Sequence, residues 1–96
     1  MKKVLIVSYH CKKGKREAFL SAVQSEGIDR ASQEEAGNLR YRYFRSIDDP
    51  DLLLLLETWK DEDAFQQHCA AAHFQRLGEI KKQFVDQTEM EKFEQD

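Results

Sequence analysis

The chain has 96 residues, 41% of them hydrophobic and 34% charged, with a net charge of −3 and a pI near 5.6. That length holds a single core and so one domain, residues 1–96. The acidic balance argues against a nucleic-acid partner, which asks for a basic face, and the longest apolar run is far too short to span a bilayer.

The basic start, Met1-Lys2-Lys3, leads into the short apolar run Val4 to Val7 before Ser8 interrupts it, too little for a signal-peptide core. A cytoplasmic protein is expected. Cys11 and Cys69 lie far apart with no secreted context around them, so two free thiols are expected.

Residues 2–11, KKVLIVSYHC, read as the first strand, rich in β-formers and apolar on both sides. Residues 15–36 read as helical, with Phe19, Ala22, Val23, Ile28 and Ala31 as an apolar stripe. Gly27 is a point of breakage or kinking and Gly37 a terminator. Residues 38–46, NLRYRYFRS, read as the second strand, with Leu39, Tyr41 and Tyr43 on one face and Arg40, Arg42 and Phe44 on the other. The acidic, proline-containing turn 47–51 leads into a third strand, 52–60, at hairpin distance.

That third strand opens with five leucines. Leu52, Leu54 and Leu56 point one way; Leu53, Leu55, Glu57 and Trp59 point the other. Asp61 is placed to cap a second helix, with Glu62 and Asp63 suiting its positive end. Ala64, Phe65, His68, Cys69 and Ala72 share one of its faces, and a further helical piece covers about 73–84. Residues 85–93, VDQTEMEKF, read as a fourth strand, with Val85, Thr88, Met90 and Phe93 inward or partner-facing.

Strand, helix, strand, strand, helix, strand is the order of an α+β ferredoxin-like, split βαβ fold. Its right-handed crossovers place the helices on one face of an antiparallel sheet. The opposite face is apolar along strands one and three, and such a patch marks an association surface. A homodimer packed through its sheet faces is the expected partner state.

The helix-covered face can hold a pocket. Trp59 ends strand three, His68 and His73 lie on the covering helix, and Tyr9, Tyr41 and Tyr43 can line the sheet side. An aromatic cavity with one or two imidazoles suits a flat organic ligand and proton transfer near neutral pH. The plainer readings stand beside this one: an imidazole on an apolar helix face is often a hydrogen-bonded core group, and a strand-end tryptophan is often core. Glu57 shares the face of Trp59, so it meets a basic partner, for which Arg40 and Arg42 are free, or it opens onto a polar cavity. No metal is expected. On one continuous helix the five-residue spacing turns His68 and His73 about 140° apart, and nothing matches the paired spacings of zinc sites. There is no glycine-rich phosphate loop or dinucleotide fingerprint.

GNLRYRYFRS at 37–46 followed by LLLLLETWKDEDAFQQHCAAAHF at 52–74 resembles the antibiotic biosynthesis monooxygenase domain family. The residues carrying the resemblance are Gly37, Asn38, Leu39, Arg40 and Tyr41 leading into strand two; Glu57 and Trp59 before the acidic turn; and His68, His73 and Phe74. The resemblance implies a dimeric α+β barrel. It implies a cofactor-independent oxygenase acting on a quinol or other small aromatic, with His73 or His68 as base and Trp59 stacking on the ring; Tyr9, Phe65, Phe74, Tyr41 and Tyr43 complete the expected substrate wall. Two alternatives share the pocket. One is an isomerase of a small phosphorylated dione, which needs Arg40, Arg42 or Lys60 at the phosphate; the other is a non-catalytic small-molecule-binding dimer. Haem-degrading members carry an asparagine on strand one, where this chain has Val7 and Tyr9, so haem degradation is not expected.

Overall fold

The computed structural model describes residues 1–96. The elements run β1 (Lys2–Cys11), α1 (Arg16–Ser25), α2 (Ile28–Gln33), β2 (Asn38–Arg45), β3 (Leu52–Trp59), α3 (Glu62–Cys69), α4 (Ala72–Phe84) and β4 (Val85–Gln95). One antiparallel sheet has the order β2-β3-β1-β4, so the α+β ferredoxin-like arrangement is the one observed. No helix is long and apolar enough to cross a membrane.

The alternation of β1 and β3 fixes the two faces. Leu5, Val7, Tyr9 and Cys11 of β1 and Leu53, Leu55, Glu57 and Trp59 of β3 are buried beneath the helices. Each fully buried leucine contributes about 1.5–3 kcal/mol of transfer free energy. On the other face Val4, Ile6, Leu52, Leu54 and Leu56 are only half-buried, and Phe44 and Phe93 are exposed by nearly half. Leu39 does not join Tyr41 on the inner face as its sequence spacing suggests. A register shift between Asn38 and Arg40 breaks the alternation and leaves Leu39 exposed.

Both helical stretches are divided, and the divisions matter later. Gly27, at φ +69°, parts α1 from α2, a left-handed conformation that glycine adopts without a Cβ penalty. Asp61 caps α3 as expected, its Oδ1 accepting from the amide of Ala64 at 2.8 Å. The chain then leaves the helix at Ala70 and Ala71, where Ala71 is extended, before α4 starts at Ala72. Helix α4 passes directly into β4 with no loop, and the carbonyl of Phe84 accepts from the amide of Lys12 at 2.8 Å. Gly37 packs against α3 so closely that a Cβ there would lie 2.3 Å from the Cβ of Ala64. Cys11 and Cys69 are free thiols.

Candidate active site

A cavity of about 500 Å³ lies between the sheet and the pair α3–α4. Val7 and Tyr9 from β1, Glu57 from β3, and Thr88 and Met90 from β4 line the sheet side. Phe65 and Cys69 of α3, and Phe74, Leu77, Gly78 and Lys81 of α4, form the roof. The lining is mostly apolar, and Glu57 and Lys81 are its charged groups. Gly78 has nothing within 4 Å of where a Cβ would stand, so its bareness widens the roof.

Glu57 is 5% exposed, and its Oε1 accepts from the indole N–H of Trp59 at 3.0 Å. Burial pushes its carboxyl pKa up to about 7, against the opposing pull of the Trp59 N–H, and the nearby charge of Glu35 raises it further. Its role is therefore not the one foreseen. It has no arginine partner: Arg40 and Arg42 project from the far face of the sheet, and the wall it joins is mostly apolar rather than polar. Lys81, half-buried, lies 5.5 Å from the centroid of the Tyr9 ring, and desolvation lowers its pKa. The Tyr9 phenol is pushed well above its usual value by burial.

Of the aromatic groups expected around a ligand, Tyr9, Phe65 and Phe74 stand in the cavity wall. Trp59 does not: it has no exposed surface, and its ring lies on His68, centroids 4.5 Å apart. It supports Glu57 from behind instead of facing the void. Tyr41 and Tyr43 lie outside the wall as well, on the β2 side of the core. Tyr41 packs edge-on against His68, and both tyrosine hydroxyls are buried without a hydrogen-bond partner.

The two imidazoles expected to face the ligand instead meet each other. The break at Ala70–Ala71 turns α4 back, so His68 and His73 do not diverge as one continuous helix would make them; their ring centroids are 5.8 Å apart. Both approach a single oxygen of Glu35, in the loop between α2 and β2. His68 Nδ1 is 2.6 Å from Glu35 Oε2 and His73 Nε2 is 2.8 Å from it. The other nitrogen of His68 is 3.7 Å from Glu57 Oε1. Burial lowers the His68 pKa despite Glu35, so the ring is neutral at neutral pH and the Glu35 acceptor assigns its proton to Nδ1. Neither imidazole joins the cavity wall.

Glu35 and Lys81 were not singled out from sequence as site residues. Glu35 sits at the end of a stretch read as helix, and only the packing of that loop against the α3–α4 break gives it its two imidazole partners. Lys81 reads as a charge at a helix C-terminus. The one available signal was its place four residues after Leu77, on the side of α4 that turns inward.

The family model for antibiotic biosynthesis monooxygenase matches residues 4–79. "Putative monooxygenase YcnE" of Bacillus subtilis (strain 168) is 43% identical over 61 residues, which are 64% of this chain and 62% of that protein. The match thus spans a little under two thirds of that relative's length. Protein SO0527 from Shewanella oneidensis superposes with a TM-score of 0.90 at 29% identity, covering 98% of this chain and 90% of that one. A "Putative antibiotic biosynthesis monooxygenase" from Nitrosomonas europaea gives a TM-score of 0.86 at 26% identity over 97% of each chain.

Proposed function

Because the chain belongs to the antibiotic biosynthesis monooxygenase family, we propose that it is a cytoplasmic, dimeric oxygenase that inserts one atom of O₂ into a small phenol or quinol without a metal or flavin taking part. The observation that carries this reading is Glu57, a carboxyl of pKa about 7 in the wall of a mostly apolar cavity large enough for a small aromatic ring system.

The chemistry follows from that placement. Glu57 takes the phenolic proton, since near neutrality a useful fraction of it is ionised. The phenolate passes one electron to O₂, and the radical pair joins at a ring carbon, forming a C–O bond. Protonated Glu57 returns its proton to the peroxide. Loss of the ring C–H proton then breaks the O–O bond: one oxygen stays as the new carbonyl, and the other leaves as hydroxide and takes up that proton to become water. The substrate supplies all four electrons that reduce O₂ to the inserted oxygen and one water. The apolar wall excludes water from the radical pair, and Lys81 offers a positive charge to the phenolate.

The outer sheet face supports the dimer. Its apolar centre, Val4, Ile6, Leu52, Leu54 and Leu56, runs between Arg40 and Arg42 on β2 and Glu89 and Glu91 on β4. A two-fold axis through that centre can bring the basic edge of one copy towards the acidic edge of the other. The isomerase reading has less behind it, because Arg40, Arg42 and Lys60 all lie away from the cavity wall.

Oxygen consumption with a panel of quinols and polycyclic phenols tests the proposal. Glu57→Gln should fold as the parent does and lose at least about 100-fold in turnover. Parent-like turnover by that variant removes Glu57 as base, conversion without O₂ favours an isomerase, and tight ligand binding without turnover favours a binding dimer.

A further inference from the structure

We propose that Glu35, His68 and His73 form a binding site for a divalent transition cation of the zinc class. The ligand atoms are two imidazole nitrogens and one carboxylate oxygen, all within 4.8 Å of one another. That donor set suits zinc, for which His and carboxylate ligands are ordinary.

The geometry needs a local adjustment. Ligands about 2.0–2.1 Å from a tetrahedral zinc lie roughly 3.4 Å from each other. Glu35 Oε2 now sits 2.6 and 2.8 Å from the two nitrogens, as a hydrogen-bond acceptor does. A retreat of about 1 Å by this loop carboxylate, with the two imidazole rings, whose nitrogens lie within 4.8 Å of each other, turning inward to meet it, makes room for an ion. The ligands come from three separate segments: the loop after α2, the last turn of α3 and the first turn of α4. An ion would therefore tie the loop to both sides of the α3–α4 break.

Two further observations distinguish this cluster from an ordinary surface ion pair. First, His68 is backed by a carboxylate. With a metal on Nδ1 its proton moves to Nε2, which already faces Glu57 Oε1 at 3.7 Å; an acidic group behind a ligating imidazole is the usual outer support of a metal ligand. Second, the exposure is graded. The His68 side chain is 2% exposed, while those of Glu35 and His73 are 18% and 22% exposed. The buried ligand is thus fixed, and the outer two leave a path for the ion and an open position for water. None of the three lines the cavity, so the ion would clamp the fold beside the site without touching a substrate. The ion would meet the oxygenase site only through His68, whose Nε2 faces Glu57 Oε1, and its binding is read without any turnover.

The test uses the full chain, untagged and stripped with EDTA, titrated with ZnCl₂ by calorimetry and with Co²⁺ by visible absorption. One ion per chain is expected, with cobalt bands of a low-symmetry nitrogen–oxygen site and a rise in melting temperature on adding zinc. His73→Gln and Glu35→Gln should each weaken binding at least about tenfold. His10→Ala, which removes the imidazole of the surface pair with Glu89, should leave it unchanged. Absence of binding, or affinity indifferent to both Gln substitutions, would establish the trio as a hydrogen-bonded knot and overturn the proposal.

Discussion

The indole N–H of Trp59 donates to Oε1 of Glu57 at 3.0 Å, two residues along the same buried face of β3. The pair joins a fully buried ring to a carboxyl in the cavity wall, and the hydrogen bond pulls the carboxyl's pKa down against the larger effect of burial. In Trp59→Phe that pull is gone. The Glu57 pKa should rise above about 7, so any activity that needs its ionised form should shift to higher pH. Removing part of a packed ring should also cost on the order of 2 kcal/mol of stability. A pH–rate profile and a urea melt check the two effects separately.

Stability should carry the imprint of the same carboxyl. The folded-state pKa of Glu57 is raised from 4.5 to about 7, so between those values the folded chain holds more protons than the unfolded one. Its contribution to stability therefore falls as pH rises from 4.5 to about 7 and is level above that. The loss is on the order of 3 kcal/mol at most. Glu57→Gln cannot ionise, so it should lack this fall and be more stable than the parent above neutrality, as read from denaturant midpoints across the pH range.

Gly37→Ala should destabilise the fold by about 1–3 kcal/mol. The added methyl would lie 2.3 Å from the Cβ of Ala64, and neither group is a flexible chain end that can swing away. The clash would push α3 from the loop carrying Glu35, so hydrogen exchange should quicken at Asn38 and Ala64 as the melting temperature falls.

Leu54→Lys should convert the proposed dimer to a monomer. Leu54 lies on the uncovered sheet face, opposite Ser8 on β1 and Phe44 on β2. A lysine there would bury a charge in any sheet-to-sheet interface while leaving the helix-side core untouched. Sedimentation should give a dimer for the parent and a folded monomer for the variant.

What could be read from the chain beforehand follows the range of the forces involved. The strands, their order and the two faces of β3 were legible because alternation and hydrophobic runs are local signals. The cap at Asp61 was legible for the same reason. The geometry of the candidate site was legible only in part. Tyr9, Phe65 and Phe74 reached the cavity because their elements put them there. Trp59 missed it because the His68 ring lies on the indole, which keeps no exposed surface. The convergence of His68 and His73 could not be seen from spacing, since it depends on a two-residue break at Ala70–Ala71 that carries neither glycine nor proline. Glu35 could not be seen at all without the loop that brings it to that break.

The most direct measurement is the pH titration of the Glu57 carboxyl carbon by ¹³C NMR, assigned by comparison with Glu57→Gln. A carboxyl buried in the cavity wall, with the Trp59 N–H as its hydrogen-bond donor, should titrate with a midpoint near 7. A midpoint in the ordinary carboxylate range, near 4.5, would mean that Glu57 is solvated and cannot be the base described here.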